Sequence, residues 1–154
     1  MNDHAGSKIR PATAADAPAV TSCVDAAYRP YVRRIGKPPA PMVADYAEVI
    51  RQHRVHVIEA DGIVAGMVVL ITNHGHATLD TVAVDPAYQH NGLGRALIAF
   101  AEQTAAALGY TTVELYTHAL MTENIALYSR LGYSEFARKS EQGYYRVYMR
   151  KAPT

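Results

Sequence analysis

The chain has 154 residues, 49% of them apolar and 19% charged, with a formal net charge of +1. That balance suits one globular domain with a buried core, here taken as residues 1–154, and argues against a disordered chain or a general electrostatic pull on nucleic acid or an anionic membrane. Cys23 is the single cysteine, no apolar run approaches the ~20 residues of a membrane span, and the start MNDHAGSKIR lacks a signal peptide's apolar stretch, so a cytoplasmic protein is expected.

Lys8 to Thr13 reads as a short strand entering a helix over about Ala14 to Tyr28, with Thr13 or Asp16 near its start and Pro18 in its first turn. Arg29 to Met42 contains four prolines and a glycine, which predicts an irregular connection. A shorter helix is expected from Met42 to Gln52. Val55–Ala60 and Ile63–Thr72 flank an Asp61-Gly62 turn signal and predict a hairpin, which Ala77 to Val84 extends into a meander. Leu93, Leu97, Phe100, Ala101, Thr104 and Leu108 recur at helical spacing, so a helix is predicted from Gly92 to Leu108, closed by Gly109. A strand over Thr111–Thr117, a helix over about Thr122–Leu131 ended by Gly132, and an antiparallel pair from SEFARKS and YYRVYMR complete an α+β domain.

The segment VAVDPAYQHNGLGRALIAF, Val82 to Phe100, carries the chemistry. A helix start leaves about four backbone N–H groups unpaired and carries a partial positive charge. Gly92 and Gly94 remove the side chains that would keep an anion from those amides, which suggests a phosphate-binding turn. A tight turn with close packing is the structural alternative, and the glycines alone leave both open. A dinucleotide fingerprint fails because Leu97 stands at its third glycine, and a P-loop fails because Arg95 follows Gly94.

Strand VAV, Asp85-Pro86 and then Gln89-His90-Asn91-Gly92-Leu93-Gly94 resemble the Q/R-x-x-G-x-G/A signature of the GCN5-related N-acetyltransferases (GNAT). Asn124 to Tyr133, NIALYSRLGY, is similar to that family's N-x-x-x-Y-x-x-x-G-F/Y segment, and the order of elements agrees along nearly the whole chain. The resemblance implies a single-domain GNAT fold, a central mixed, mostly antiparallel sheet of about six to seven strands flanked by about four helices. It further implies an acyltransferase that moves an acetyl group from acetyl-coenzyme A to a primary amine of a small molecule or peptide. The amides of Gln89, His90, Asn91, Gly92, Leu93, Gly94 and Arg95 would hold the pyrophosphate. Val82, Ala83 and Val84 would pair with the pantetheine arm and offer an oxyanion-type amide. Asn124 would touch that arm and Tyr128 would face the sulfur as general acid. Asn124 and Tyr128 are i and i+4 and share a helix face, although Ile125 and Leu131 make core packing the alternative role for Tyr128.

Asp80 is the candidate base, with a solvent-facing strand carboxylate as its alternative, and Glu114, Tyr116 and His118 lie on the neighbouring strand. Tyr31, Arg33 and Arg34 are candidates for recognising an acidic group on the acceptor, in a segment that would otherwise be a solvated loop. His74 and His76 are too few to suggest a metal, so no metal is expected. A non-catalytic acyl-coenzyme A-binding regulatory module and a structural domain whose turn binds nothing remain the competing readings. The family also admits a homodimer.

Overall fold

The structure, a computed structural model, describes residues 7–72 and 75–153. Its strands are β1 (Ser7–Pro11), β2 (Arg54–Ala60), β3 (Ile63–Ile71), β4 (Ala77–Val84), β5 (Val113–His118), β6 (Ser134–Glu141) and β7 (Tyr144–Lys151). They form one seven-stranded sheet in the order β1-β2-β3-β4-β5-β7-β6. All neighbours are antiparallel except β4 and β5. The helices are α1 (Ala17–Ile35), α2 (Tyr46–Gln52), α3 (Leu93–Ala107) and α4 (Thr122–Arg130), so the expected mixed α+β architecture is present.

The run IVAGMVVLI explains the layering. A strand covered on both faces needs apolar residues at every position, and β3 is buried from Ala65 to Leu70. Met67 and Val69 pack toward Val20, Val24 and Tyr28 of α1, whereas Val68 and Leu70 pack toward Leu97, Ile98 and Ala101 of α3. Asp61 (φ 55°) and Gly62 (φ 77°) both take left-handed conformations, as a two-residue hairpin between β2 and β3 requires.

Two expectations are corrected. The connection expected to be irregular from Arg29 is helical to Ile35, with Pro30 inside α1. Pro30 is exposed, where losing one backbone bond costs least, and the turn beyond it is anchored by Tyr28 and Tyr31 and closed by Gly36 (φ 91°). The helix expected from Met42 is instead a 3-10 turn, Ala40–Val43, followed by α2. Asp45 accepts the Glu48 N–H at 3.4 Å and so sets a later helix start. Among the described residues no helix is long and apolar enough to cross a membrane.

Candidate active site

Between β4 and α3 the chain is shaped by local hydrogen bonds. Asp85 accepts the Ala87 N–H at 2.9 Å and opens a 3-10 turn over Pro86–Tyr88, and Gln89 Nε2 donates to the Val84 carbonyl at 3.0 Å. His90 (φ 69°) and Gly92 (φ 80°) are left-handed on either side of Asn91, a curl that turns backbone amides toward one side. Gly92 caps α3 without a side-chain acceptor, and the first turn holds no acidic residue. The first amides of α3 therefore have no side-chain cap, and the helix dipole favours an anion there. A Cβ on Gly94 would meet only Val84 Cγ2 at 3.7 Å, so the protein itself leaves that space open.

β4 and β5 pair only from Ala77 to Leu79, opposite Val113 to Leu115. Beyond that the strands part, and the register against β3 slips so that Asp80 has no partner there. A bulge of this kind bends a strand and re-aims its side chains. Asp85 N–H donates to Ala65 across β3, so by strand alternation Ala83 also faces β3 while Val82 and Val84 turn their backbone groups to the gap. The Val82 carbonyl accepts from Tyr28 OH at 3.1 Å and that of Val84 from Gln89. What the gap retains is N–H.

A cavity of about 380 Å³ joins these parts. Val82 to Val84, Gln89, His90, Gly92, Leu93, Gly94 and Arg95 line it together with Asn124 and Tyr128 of α4. Asn91, by contrast, does not reach the lining. Tyr128 is 8% exposed, its ring edge-on to Tyr133 at 5.8 Å, and burial pushes its hydroxyl up to about 12. It belongs to the core cluster and to the cavity wall at once, so packing and a site role are compatible. The residues suit a coenzyme A: uncapped amides for phosphates, strand amides for an amide-bearing arm, and a protonated hydroxyl farther in.

A second cavity of about 290 Å³ lies on the other side of Tyr28 and Met121, which border both. Asp80 lines it, accepting from Thr81 Oγ1 at 3.2 Å and from Tyr116 OH at 3.4 Å. Burial first, and then the Asp80 charge, push the Tyr116 hydroxyl up to about 12. Glu114 shares the Tyr116 face but sits at the other end of β5, 3.5 Å from His76. His118 Nδ1 accepts the Leu120 N–H at 3.1 Å, and burial, Lys37 and Arg146 lower its pKa. Such an imidazole carries its proton on Nε2 and is a donor, which removes it as a base.

Tyr46, Met121 and Arg146 were not singled out by sequence reasoning as site residues. Tyr28 opens the Tyr28–Gly36 segment considered for acceptor recognition, and a signal for its helical placement existed. Val20, Val24, Tyr28, Tyr31 and Ile35 keep helical spacing straight across Pro30. For Arg146 the signal was weaker, one cation among alternating tyrosines on Tyr144–Tyr148.

Tyr31 lines the first cavity, and Arg33 and Arg34 line neither. Arg34 donates to both Glu123 oxygens, at 2.6 and 3.0 Å, and to the Leu120 carbonyl, tying α1 to α4. The physical reason is the helix. Successive side chains turn ~100° apart, so the segment cannot aim Tyr31, Arg33 and Arg34 at one place as a loop might. Cys23 is buried, its thiol pushed up to about 12 mainly by desolvation. His74 lies outside the described residues, among which no three His, Cys, Asp or Glu side chains gather.

A sheet that splays beyond its parallel pair, beside an uncapped helix start, is the framework of an acyl-coenzyme A-binding domain. The chain belongs to the acetyltransferase (GNAT) family, whose profile matches residues 21–133. It is 44% identical over 59 residues to the [ribosomal protein bS18]-alanine N-acetyltransferase of Escherichia coli K12, a match covering 38% of this chain and 40% of that enzyme. It is 37% identical over 79 residues to the mycothiol acetyltransferase of Clavibacter sepedonicus, covering 51% of this chain and 26% of that one. The aligned stretches thus span well under half of these curated relatives. In structure it superposes on the Escherichia coli ribosomal-protein-S18-alanine N-acetyltransferase with a TM-score of 0.79 at 23% identity, covering 96% and 94% of the two chains. PaiA N-acetyltransferase from Thermoplasma acidophilum, in complex with coenzyme A, gives 0.74 at 16% identity over 95% and 98%. Identities this low establish the shared fold alone.

Proposed function

We propose that this chain is an N-acetyltransferase that moves the acetyl group of acetyl-coenzyme A to a primary amine of a small molecule or peptide, by direct attack in a ternary complex. One observation carries this reading. A cavity of backbone amides and a cavity of polar side chains meet at Tyr28 and Met121 beside β4. The amides of Gln89 to Arg95 hold the pyrophosphate, and Val82 and Val84 N–H groups pair with the pantetheine arm alongside Asn124. Bound there, the coenzyme supplies an activated acetyl thioester.

The chain's own groups then manage charge and protons. Asp80 holds the incoming amine and takes its surplus proton, which matters because a lysine-like amine at ~10.4 is only about one part in two thousand neutral at pH 7. The neutral amine nitrogen bonds to the thioester carbonyl carbon and a β4 N–H takes up charge on the oxygen. The C–S bond then breaks, Tyr128 gives its proton to the sulfur, and the proton shed by the new amide nitrogen returns to the Tyr128 oxygen. A hydroxyl at about 12 stays protonated until that moment. Against a thiol near ~8.5 the transfer is uphill by roughly 3.5 pKa units, on the order of 5 kcal/mol, before the sulfur's own desolvation narrows the gap.

The test is thiol release from acetyl-coenzyme A with polyamines, amino acids, aminoglycosides and N-terminal peptides, in wild type and Tyr128→Phe. Amine-dependent release that falls about 10²–10⁴-fold in the variant, with coenzyme affinity unchanged, supports the transferase and its acid. Coenzyme binding without release from any amine would instead favour the regulatory module.

A further inference from the structure

The second cavity is polarised. At one end the Asp80 carboxylate holds Thr81 and Tyr116. At the other, Arg146 on β7 stands directly across from His118 on β5. The Arg146 guanidinium lies over the Tyr116 ring at 4.4 Å and over the Tyr144 ring at 5.6 Å, and the Lys37 ammonium lies 4.0 Å from the centroid of the Tyr144 ring.

Arg146 is 8% exposed, and no carboxylate among the described residues forms an ion pair with it. Its guanidinium meets the two ring faces and the Tyr148 hydroxyl, which itself donates to Glu141. Asp80 lines the same cavity without pairing with it, because Tyr116 stands between them. A buried cation that lacks an anion is costly unless a ligand provides one. His118, its Nδ1 already accepting from Leu120, offers an Nε2–H donor at the same end. Pro41, Val43 and Val49 give the same cavity an apolar lining.

We propose that the acceptor is a small zwitterionic amine of amino-acid type with an apolar side chain, its carboxylate bound by Arg146 and His118 and its amine held at Asp80. This rests on the transferase reading above and makes Arg146 the residue that sets specificity. An arginine fork over a cavity matches a carboxylate in two parallel N–H···O bonds, which a lysine cannot reproduce. The charge order also orients the ligand. A molecule placed the other way round would set carboxylate against carboxylate at Asp80.

The experiment compares kcat/KM for leucine, methionine and phenylalanine with that for their primary amides, which keep the amine and lose the carboxylate. Wild type, Arg146→Gln and Arg146→Lys are assayed with saturating acetyl-coenzyme A, and thermal unfolding checks that each variant folds. Wild type is expected to prefer the acids at least tenfold. Arg146→Gln should lower kcat/KM for the acids by about 10²-fold and leave the amides nearly unchanged, with Arg146→Lys between. Amides acetylated as well as the acids by wild type would overturn the proposal while leaving the transferase intact, and that comparison stands even if the variants fail to fold. Coenzyme binding with no acetylation of any amine would overturn the transferase reading itself and this inference with it.

Discussion

The two cavities on either side of Tyr28 and Met121 are built by different means. The cavity proposed for the coenzyme is a matter of backbone: an uncapped helix start, two left-handed residues, and strand amides laid open where β4 leaves β5. The cavity proposed for the acceptor is a matter of side chains, with Asp80, Tyr116, His118 and Arg146 brought together from β4, β5 and β7. A backbone site tolerates many sequences as long as a few glycines and a helix start stay in place, so it can be common to a whole family. A side-chain site changes with each substitution, and on the proposed reading the identity of the acceptor resides there.

The largest expected effect lies behind the coenzyme side. Lys151 Nζ meets Glu102 Oε1 at 3.0 Å and the Leu131 carbonyl at 2.8 Å, and Tyr133 OH donates to Glu102 Oε2 at 3.0 Å. This buried group ties α3, the end of α4 and β7 together beneath Tyr128. Lys151→Met leaves Glu102 without its cation and should cost about 3–5 kcal/mol of unfolding free energy in urea. Glu102→Leu combined with Lys151→Met should recover most of that loss. If the single variant lost less than about 1 kcal/mol, the pair would not be the buttress described.

The same contrast decides what could be read from the sequence. Turn signals such as Asp61-Gly62 and the glycines at 92 and 94 act locally, so the hairpin, the turn after β4 and α3 itself were legible. The Asn124 and Tyr128 spacing was legible too, since both sit on one helix. Arg146 was not, because nothing in YYRVYMR says that β7 will lie beside β5 and set it over Tyr116. Strand order is fixed by packing between distant segments, not by local propensity. Pro30 misled for a related reason: local chemistry ended the helix, and tertiary anchoring of Tyr28, Tyr31 and Arg34 carried it to Ile35.

Alkali should test both cavities at once. Burial raises Tyr128 on one side and Tyr116 on the other to about 12, and Cys23 between the sheet and α1 also to about 12. These pKa values lie above those of the unfolded chain, so the folded state holds its protons more tightly. That stability is complete below pH ~9 and is lost as pH rises toward 12. Urea unfolding should therefore weaken by a few kcal/mol between pH 8 and 11. Tyr128→Phe and Tyr116→Phe should each flatten part of the decline, by comparable amounts. A flat profile would mean that the tyrosines are not desolvated as described.

Gly94→Ala separates backbone from side-chain design with two effects of opposite sign. In the first turn of α3 an added Cβ meets only Val84 Cγ2 at 3.7 Å. The protein should gain roughly 0.5–1 kcal/mol, since alanine loses less backbone entropy than glycine on folding. The same methyl group stands where an anion approaches the amides, so coenzyme affinity should fall, about tenfold or ~1.4 kcal/mol. The KM of the acceptor should not move. A variant that is stabilised and binds coenzyme A unchanged, measured by calorimetry, would remove Gly94 from the cradle.

The smallest effect belongs to Arg34, which ties the end of α1 to the start of α4. Its pairing with Glu123 is bidentate, yet the side chains are 43% and 55% exposed, and solvent screening leaves such surface pairs little net effect. Arg34 holds the Glu123 carboxyl at about 2, below its ordinary value, so the contribution is present above pH ~4.5 and disappears as pH falls through 2. Arg34→Ala should accordingly lower stability slightly at pH 7 and still less as pH falls through 2. Acceptor preference should be the same in Arg34→Ala and in the double variant with Arg33→Ala, because neither side chain lines a cavity. A changed ratio of acid to amide acetylation in that double variant would extend the specificity surface from β7 to the end of α1. The division between a backbone site and a compact side-chain site would then have to be redrawn.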